Sequence, residues 1–253
     1  MYSIGESVKK FVEYIAIAVI ILITWSVLER FGIINSITLP APETIIKTCV
    51  ENIKNGRLFN NLAISMVRVV KGYCLAAVLG ISFGILLGFY RRLNYMTDLI
   101  VQIIKPIPPI AWIPLAIIWF GIGEMSKVFL IFLGGFFTIL VNVIDGIHQV
   151  DGALVEVSDI METPRYKHIL YLVLPSALPN IFTGLRTGLG SCWMCVVAAE
   201  LVAATSGIGY MISNARQFSK TDVVIVGMLA IGVSGKIMDS ILKTVERRVI
   251  KWN

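Results

Sequence analysis

Charge is what this chain has least of. Of its 253 residues, 15% are Asp, Glu, Lys or Arg, against about 25% in ordinary soluble domains, while 57% are hydrophobic and the mean hydropathy is +0.82. That composition excludes a soluble globular domain and identifies an integral membrane protein. Histidine is nearly missing, and the two present, His148 and His168, lack metal-ligand spacing, so no metal site is expected. Cysteine is sparse: Cys49 and Cys74 have no partner that the sequence identifies. The C-x-x-C formed by Cys192 and Cys195 lies in the apolar run SCWMCVVAA without a second Cys or His pair, which favours buried packing over redox or metal chemistry and predicts no disulfide. A phosphate loop is also lacking, because GVSGK at 232–236 is followed by Ile237 and sits inside an apolar run. No catalytic constellation, cofactor site or ATP site is expected on this chain. The net charge of +6 does not imply nucleic acid, since the 22 Lys and Arg are scattered at the ends of apolar runs rather than gathered on one face.

What is present is a series of long apolar runs. A helix needs about 20 mostly apolar residues to cross the hydrocarbon, and the runs predict an all-α integral membrane fold. It forms one transmembrane domain over residues 1–253, with six spans at about 14–28, 62–90, 98–122, 128–145, 182–204 and 223–242. Lys9 and Lys10 before the first run resemble a secretory signal, but no small-residue cleavage site follows, so that run is expected to stay as the first span. Between the first two spans, Pro42 opens a short amphipathic helix ending near Asn55-Gly56, expected at the outer surface. In the second span Gly80, Gly84 and Gly88 repeat every four residues, a stripe that permits close helix packing. The third span carries Pro106, Pro108, Pro109 and Pro114; each proline removes a backbone donor, so this run is either a kinked strut or, with Trp112, part of a transport path or gate. Residues 169–185 contain Pro175 and Pro179 and are expected to form a cytoplasmic helix leading into the fifth span.

Glu200 is the odd residue of the interior, preceded by thirteen uncharged residues back to Thr187, and it either belongs to the path or gate or bonds a neighbouring helix. Arg186, Lys105 and Lys236 are expected to snorkel toward the cytoplasmic face, with Lys236 able to pair with Asp239. Six spans put both termini on one side. Ten Lys and Arg at span ends fall there against seven opposite, which makes both termini cytoplasmic.

Between the fourth and fifth spans lies a polar interruption, about 149–175, carrying Asp151, Glu156, Asp159, Glu162, Arg165 and Lys167. It predicts a cytoplasmic helical hairpin: one helix from Asp151 to Met161, then Thr163 as cap and Pro164 as first residue of the next. Such a capped hairpin presents a rigid knob, which a simple tether does not require.

Glu156-Val157-Ser158, followed by Leu172, Leu174 and Pro175, resembles the E-A-A…G…I-x-L-P loop of ABC importer permeases. LPAPETI, SMVRVVKGYCLA, KPIPPIAWIPLAIIWFGIG, LPSALPNIFTGLRTGLG and AAELVAATSGIGYMI are similar to the nitrate, sulfonate and taurine branch of that family, so the resemblance covers nearly the whole chain. The chain departs from the motif where Val157 and Ser158 replace alanines and where Glu162 holds the glycine position, at which glycine would allow a left-handed turn. The resemblance implies a bacterial inner-membrane permease surrounded by lipid, paired with a second permease copy. It also implies an ATPase subunit that uses ATP and Mg and docks on Glu156, Ser158, Asp159, Glu162, Thr163, Pro164, Arg165 and Lys167. An extracytoplasmic binding protein would deliver a small anion. Relatives that carry heterocyclic vitamin precursors keep the solute open, and an ion-coupled transporter using Glu200 as proton site and a membrane enzyme stay as weaker alternatives.

Overall fold

The computed structural model describes residues 38–250 together with Ile17, Ile20, residues 23–29, Phe31 and Asn35. The expected first span falls mostly outside the described residues, as do Lys9 and Lys10. Among the described residues every regular element is helical. Helix α1 (Pro42–Lys54) starts with proline in its first turn, where the missing N–H costs nothing, and closes at Asn55 before Gly56, which takes a left-handed φ of 68°. Helix α2 (Arg57–Phe89) follows directly.

The centre of the molecule is α5 (Glu124–His148), packed between two partners, α2 and α8 (Leu174–Ala203). A Cβ placed on Gly80 would lie 3.0 Å from that of Ile139, and one on Gly84 2.6 Å from that of Val143; one on Gly88 would lie 2.6 Å from Cδ1 of Ile147. Contacts therefore advance together along both chains, so α2 and α5 run parallel with the i, i+4 rows of one set into the other. Gly72 extends the stripe by meeting Ile131. Helix α8 runs antiparallel to α5: Gly134 and Gly135 receive the sulfurs of Cys195 and Cys192, and Gly146 receives Asn180. The C-x-x-C pair is thus two free, buried thiols filling glycine notches, with Cys192 Sγ 3.2 Å from the carbonyl of Ile131. Where lipid removes the hydrophobic drive between helices, such close approach supplies the dispersion that holds them.

The expected third span is broken. Helix α3 (Arg91–Ile104) gives way at Lys105, and a 3-10 turn (Pro109–Trp112) leads into the short α4 (Ile113–Phe120), the two arms bent by 86°. Pro106, Pro108 and Pro109 cannot donate, and only Ile107 and Ala111 bridge the gap, to the carbonyls of Ile104 and Pro108. Neither arm alone has the about 20 residues a crossing needs. Among the described residues four helices are long and apolar enough to cross, or five if the bent pair is one span.

One expectation about α8 is corrected. Residues 169–185 are not a separate helix ahead of a span beginning near 182, because the chain continues without interruption from Arg165 to Ala203. Six residues of wider π-helical turn (His168–Val173) precede Pro175, easing the clash its ring would make with the carbonyl four residues back. Pro179 sits inside the helix without breaking it, and Thr183 Oγ1 donates to its carbonyl at 2.9 Å. After α8, the chain turns into α9 (Ile208–Gln217), a helix the apolar runs do not reveal, and returns as α10 (Thr221–Val249). Helices α1, α9 and the start of α10 share a small core of Ile45, Leu58, Ile208, Met211 and Val226 at one end of the bundle. The polar interruption lies at the other end, beside the C-termini of α2 and α5, where His148 contacts the carbonyl of Gly88 at 3.2 Å.

Candidate functional site

Three loci carry the unusual chemistry. The first is the polar interruption, which forms a capped hairpin. Asp151 is the N-cap of α6 (Gly152–Ile160), its carboxylate accepting from the amide of Ala153 at 3.0 Å. At the other end Glu162 donates its amide to the carbonyl of Asp159 at 3.0 Å, and Thr163 donates to Ser158 at 3.1 Å. This double bond is the Schellman closure, which requires a left-handed residue at the position Glu162 occupies. Glu162 adopts φ 49°, so the turn that glycine would ease is reached without glycine. Thr163 and Pro164 are shifted from their expected roles: Thr163 makes no cap bond, and Pro164 itself occupies the N-cap of the three-residue α7 (Arg165–Lys167). Ser158, which stands where the related loop has alanine, contacts Nδ1 of His168 at 2.9 Å and ties the two arms together.

Glu156, Asp159, Glu162, Pro164, Arg165 and Lys167 are all exposed, as the charge pattern predicts. Less expected is an apolar tip. Val157, Ile160 and Met161 lie on one face of α6, Ile160 81% and Met161 73% exposed, with Tyr166 and Tyr171 nearby and also exposed. Spacing of three and four residues could have revealed this stripe in the sequence.

The second locus is a buried ion cluster that the apolar-run reading passes over, because Arg68 looks like one more charge near Lys71. Arg68 is 3% exposed and spends every N–H: Nε and Nη2 reach Glu124 at 2.8 and 2.7 Å, Nη1 reaches Glu200 and the carbonyl of Ser206 at 2.7 Å each, and Nη2 also reaches Ser206 Oγ at 2.9 Å. Lys127 adds a second cation on Glu124 at 2.9 Å, so two positive and two negative groups balance. Glu200, 1% exposed, also takes Ser65 Oγ at 2.8 Å and the amide of Gly209 at 2.9 Å. Its carboxylate therefore anchors the first turn of α9. Gly207, at φ 108°, faces that carboxylate so closely that any Cβ would collide with it, which explains the glycines of SGIGYMI. Glu200 thus joins α2, α8 and α9, with α5 tied in through Arg68 and Glu124, and lines none of the cavities around the proline break.

The third locus is that break. Lys105, the exposed C-cap of α3, walls with Pro109 and Trp112 a cavity of about 270 Å³ against Thr138 and Ser191. At about 1.5 Å per residue, Thr138 lies near the middle of the 25-residue α5. Pro108 and Pro109 border a second, apolar cavity of about 240 Å³, and Pro106 borders neither. A larger cavity of about 450 Å³, walled by polar groups such as Asn52, Asn61, Tyr210 and Asp222, opens at the end opposite the hairpin. Arg186 departs from the expected snorkelling: it bridges α8 to α10 through Asp239 at 2.9 Å and Glu246 at 3.2 Å, which leaves Lys236 only a 4.0 Å contact with Asp239. Among the described residues no three His, Cys, Asp or Glu gather as a metal site.

Residues 76–251 match the family described as binding-protein-dependent transport system inner membrane component. The chain is 42% identical over 233 residues, 92% of its length and 84% of the relative's, to the aliphatic sulfonates transport permease protein of Bacillus subtilis. It is 33% identical to the taurine transport system permease protein of Escherichia coli, covering 94% of this chain and 88% of that one. To the bicarbonate transport system permease protein of Synechococcus elongatus it is 35% identical, covering 77% and 70%. Among solved structures, an inward-facing MetNI methionine ABC transporter covers 74% of this chain and 91% of its own at 19% identity and a TM-score of 0.59. An amino acid ABC transporter covers 79% and 97% at 14% identity and a TM-score of 0.66, and both likenesses are of fold.

Proposed function

Because the chain belongs to the family of binding-protein-dependent transport system inner membrane components and is a permease subunit of an ABC importer, we propose that its hairpin, residues 149–175, is the handle by which an ATPase subunit drives it. The observation that carries this reading is the hairpin's exposed apolar tip, Val157, Ile160 and Met161, ringed by Glu156, Asp159, Glu162, Arg165 and Lys167. An apolar centre with a polar rim is the anatomy of a protein interface, and the Schellman turn with the Ser158–His168 contact makes it stiff enough to transmit force. ATP and Mg belong to the partner. Closure of the ATPase pair then moves the hairpin as a rigid body, and α8, continuous with it from Arg165 to Ala203, carries that movement through the membrane.

In this reading two permease copies face each other in the bilayer, both termini and the hairpin are cytoplasmic, and a binding protein delivers solute to the end that holds α1, α9 and the polar cavity. The path follows the proline break through Pro106, Pro108, Pro109 and Trp112, where a broken helix lines a cavity at mid-depth. The solute is a small oxyanion: relatives at 33–42% identity are named for aliphatic sulfonates and taurine. Glu200 serves as a fixed anchor of the gate-side turn rather than as an ion-coupling site, since a proton carrier must open to a path and this carboxylate is 1% exposed and fully engaged.

The test is copurification of the ATPase subunit with hairpin variants. Ile160→Asp, or Glu156→Arg combined with Arg165→Glu, should lose the ATPase subunit and solute-stimulated ATP hydrolysis while the permease still inserts. Retention of both by all of these variants would sink the docking assignment.

A further inference from the structure

Helix α10 turns one face to the bundle and leaves the other uncovered. Val226, Ser234 and Met238 are buried, while Leu229, Val233, Ile237, Ile241 and Val245, each four residues after the last, are all exposed. A continuous exposed apolar row on a helix long enough to cross the bilayer is a surface for acyl chains. Beside it runs a second exposed row at the same spacing, Lys236, Ser240, Thr244 and Arg248. Where the two rows lie side by side, between residues 236 and 248, they wall one open groove of about 490 Å³.

Charge on this face is of one sign. The acids of the same turns, Asp239 and Glu246, are held toward α8 by Arg186 at 2.9 and 3.2 Å. Lys236, its side chain 79% exposed, reaches only Asp239, at 4.0 Å. Lys243, Arg247 and Arg248 make no ion pair among the described residues. Lys236 stands about six residues, or about 9 Å, before Leu242, where the apolar run ends, and a cation at that depth extends along its helix toward the headgroups. Arg248 lies beyond the run, and helical side chains lean toward the N-terminus, so it reaches back toward the same stretch. Between them Ser240 donates to the carbonyl of Lys236 and Thr244 to that of Ser240, each at 2.8 Å. Both hydroxyl oxygens keep a lone pair for a donor on a headgroup.

We propose that this groove binds an anionic phospholipid, its phosphodiester between Lys236 and Arg248 over the two hydroxyls and an acyl chain along Ile237, Val233 and Leu229. The phosphate supplies the counter-charge that the face lacks, and each Lys or Arg near the membrane surface adds to the attraction. A zwitterionic lipid brings its own cation to the same place and gains less. A free phosphate ester has the head but nothing to cover the apolar row. In the proposed orientation the lipid belongs to the cytoplasmic leaflet.

The experiment uses the permease–ATPase complex in mild detergent, titrated with phosphatidylglycerol, phosphatidylcholine and glycerol 3-phosphate and read by native mass spectrometry. Phosphatidylglycerol should bind about tenfold or more tighter than phosphatidylcholine, and an excess of glycerol 3-phosphate should not displace it. Lys236→Gln combined with Arg248→Gln should bring the two lipids within about twofold of each other. Arg91→Gln combined with Arg92→Gln, which removes as much charge at the same end of the molecule, should leave the preference unchanged. An unchanged preference in the Lys236 and Arg248 variant overturns the site. An equal loss in the Arg91 and Arg92 variant overturns it in favour of diffuse surface charge, and displacement by glycerol 3-phosphate in favour of a free phosphate. A disulfide between two copies through Ile241→Cys, in a background without native cysteines, gives the face to the second copy instead. Should the Lys236 and Arg248 variant fail to assemble, the wild-type complex decides, labelled with phosphatidylglycerol that carries a photoreactive acyl chain. Adducts on the peptide from Leu229 to Ile237 support the site, and adducts only elsewhere overturn it.

Discussion

Arg68 holds the most connected side chain of the molecule, and its stability role follows from the arithmetic of its donors. All five N–H groups are spent, so the guanidinium has no slack, and Glu200 depends on it for the charge that permits burial at 1% exposure. Removing one partner of a buried pair costs about 3–5 kcal/mol because the other charge is left alone. Arg68→Met should therefore lower the thermal midpoint of the detergent-solubilised protein sharply, and Arg68→Met with Glu200→Gln should recover a large part of that loss. Equal midpoints for the single and double variants would mean that the pair is not coupled. Glu200 could be singled out in the sequence as an ionisable residue in an apolar run, but Arg68 could not be matched to it, because 132 residues separate them.

At the scale of elements, the hairpin shows what a local motif can and cannot disclose. Its caps are sequence-local, so the helix start at Asp151 is legible from the residues, and the left-handed position at 162 from the resemblance to the motif that places glycine there. Ser158 and His168 meet only because the turn folds them together. Holding Glu162 at φ 49° costs about 1 kcal/mol relative to glycine. Glu162→Gly should keep or raise retention of the ATPase subunit in salt washes, and Glu162→Val, whose branched Cβ resists that conformation, should reduce it. Equal retention in both variants would remove the turn from the docking argument. The prolines teach the complementary lesson. Pro106, Pro108 and Pro109 break their helix because three lost donors fall within four residues, whereas Pro179 stays inside α8 because packing on α5 outweighs one missing bond.

For the whole molecule, the parallel course of α2 and α5 and the antiparallel course of α8 divide the bundle into two ends. One holds the hairpin and the C-terminal turns of α10; the other holds α1, α9 and the ion cluster. In the proposed orientation, which follows the charge bias, the hairpin end faces the cytoplasm. In a background whose native cysteines are replaced, Met161→Cys should react with a membrane-impermeant maleimide only from the cytoplasmic side, and Ser219→Cys, exposed in the turn between α9 and α10, only from the outer side. Labelling of both positions from one side would refute the two-ended arrangement.

Composition and the spacing of apolar runs were enough to determine that this chain lives in a membrane, that glycines pack one helix closely, and that a charged, capped hairpin separates two apolar helices. These are properties of neighbours in the chain, where helix period, caps and solvation cost act over a few residues. Only the tertiary structure decided what lies across elements: the Arg68–Glu200 pair, the hidden helix α9 seated on it, the glycine seam extended to Gly72, and the placing of Lys105 and Thr138 on one cavity. Those contacts join residues that the sequence keeps tens of positions apart, and no local propensity encodes which of many possible partners close packing will bring within reach.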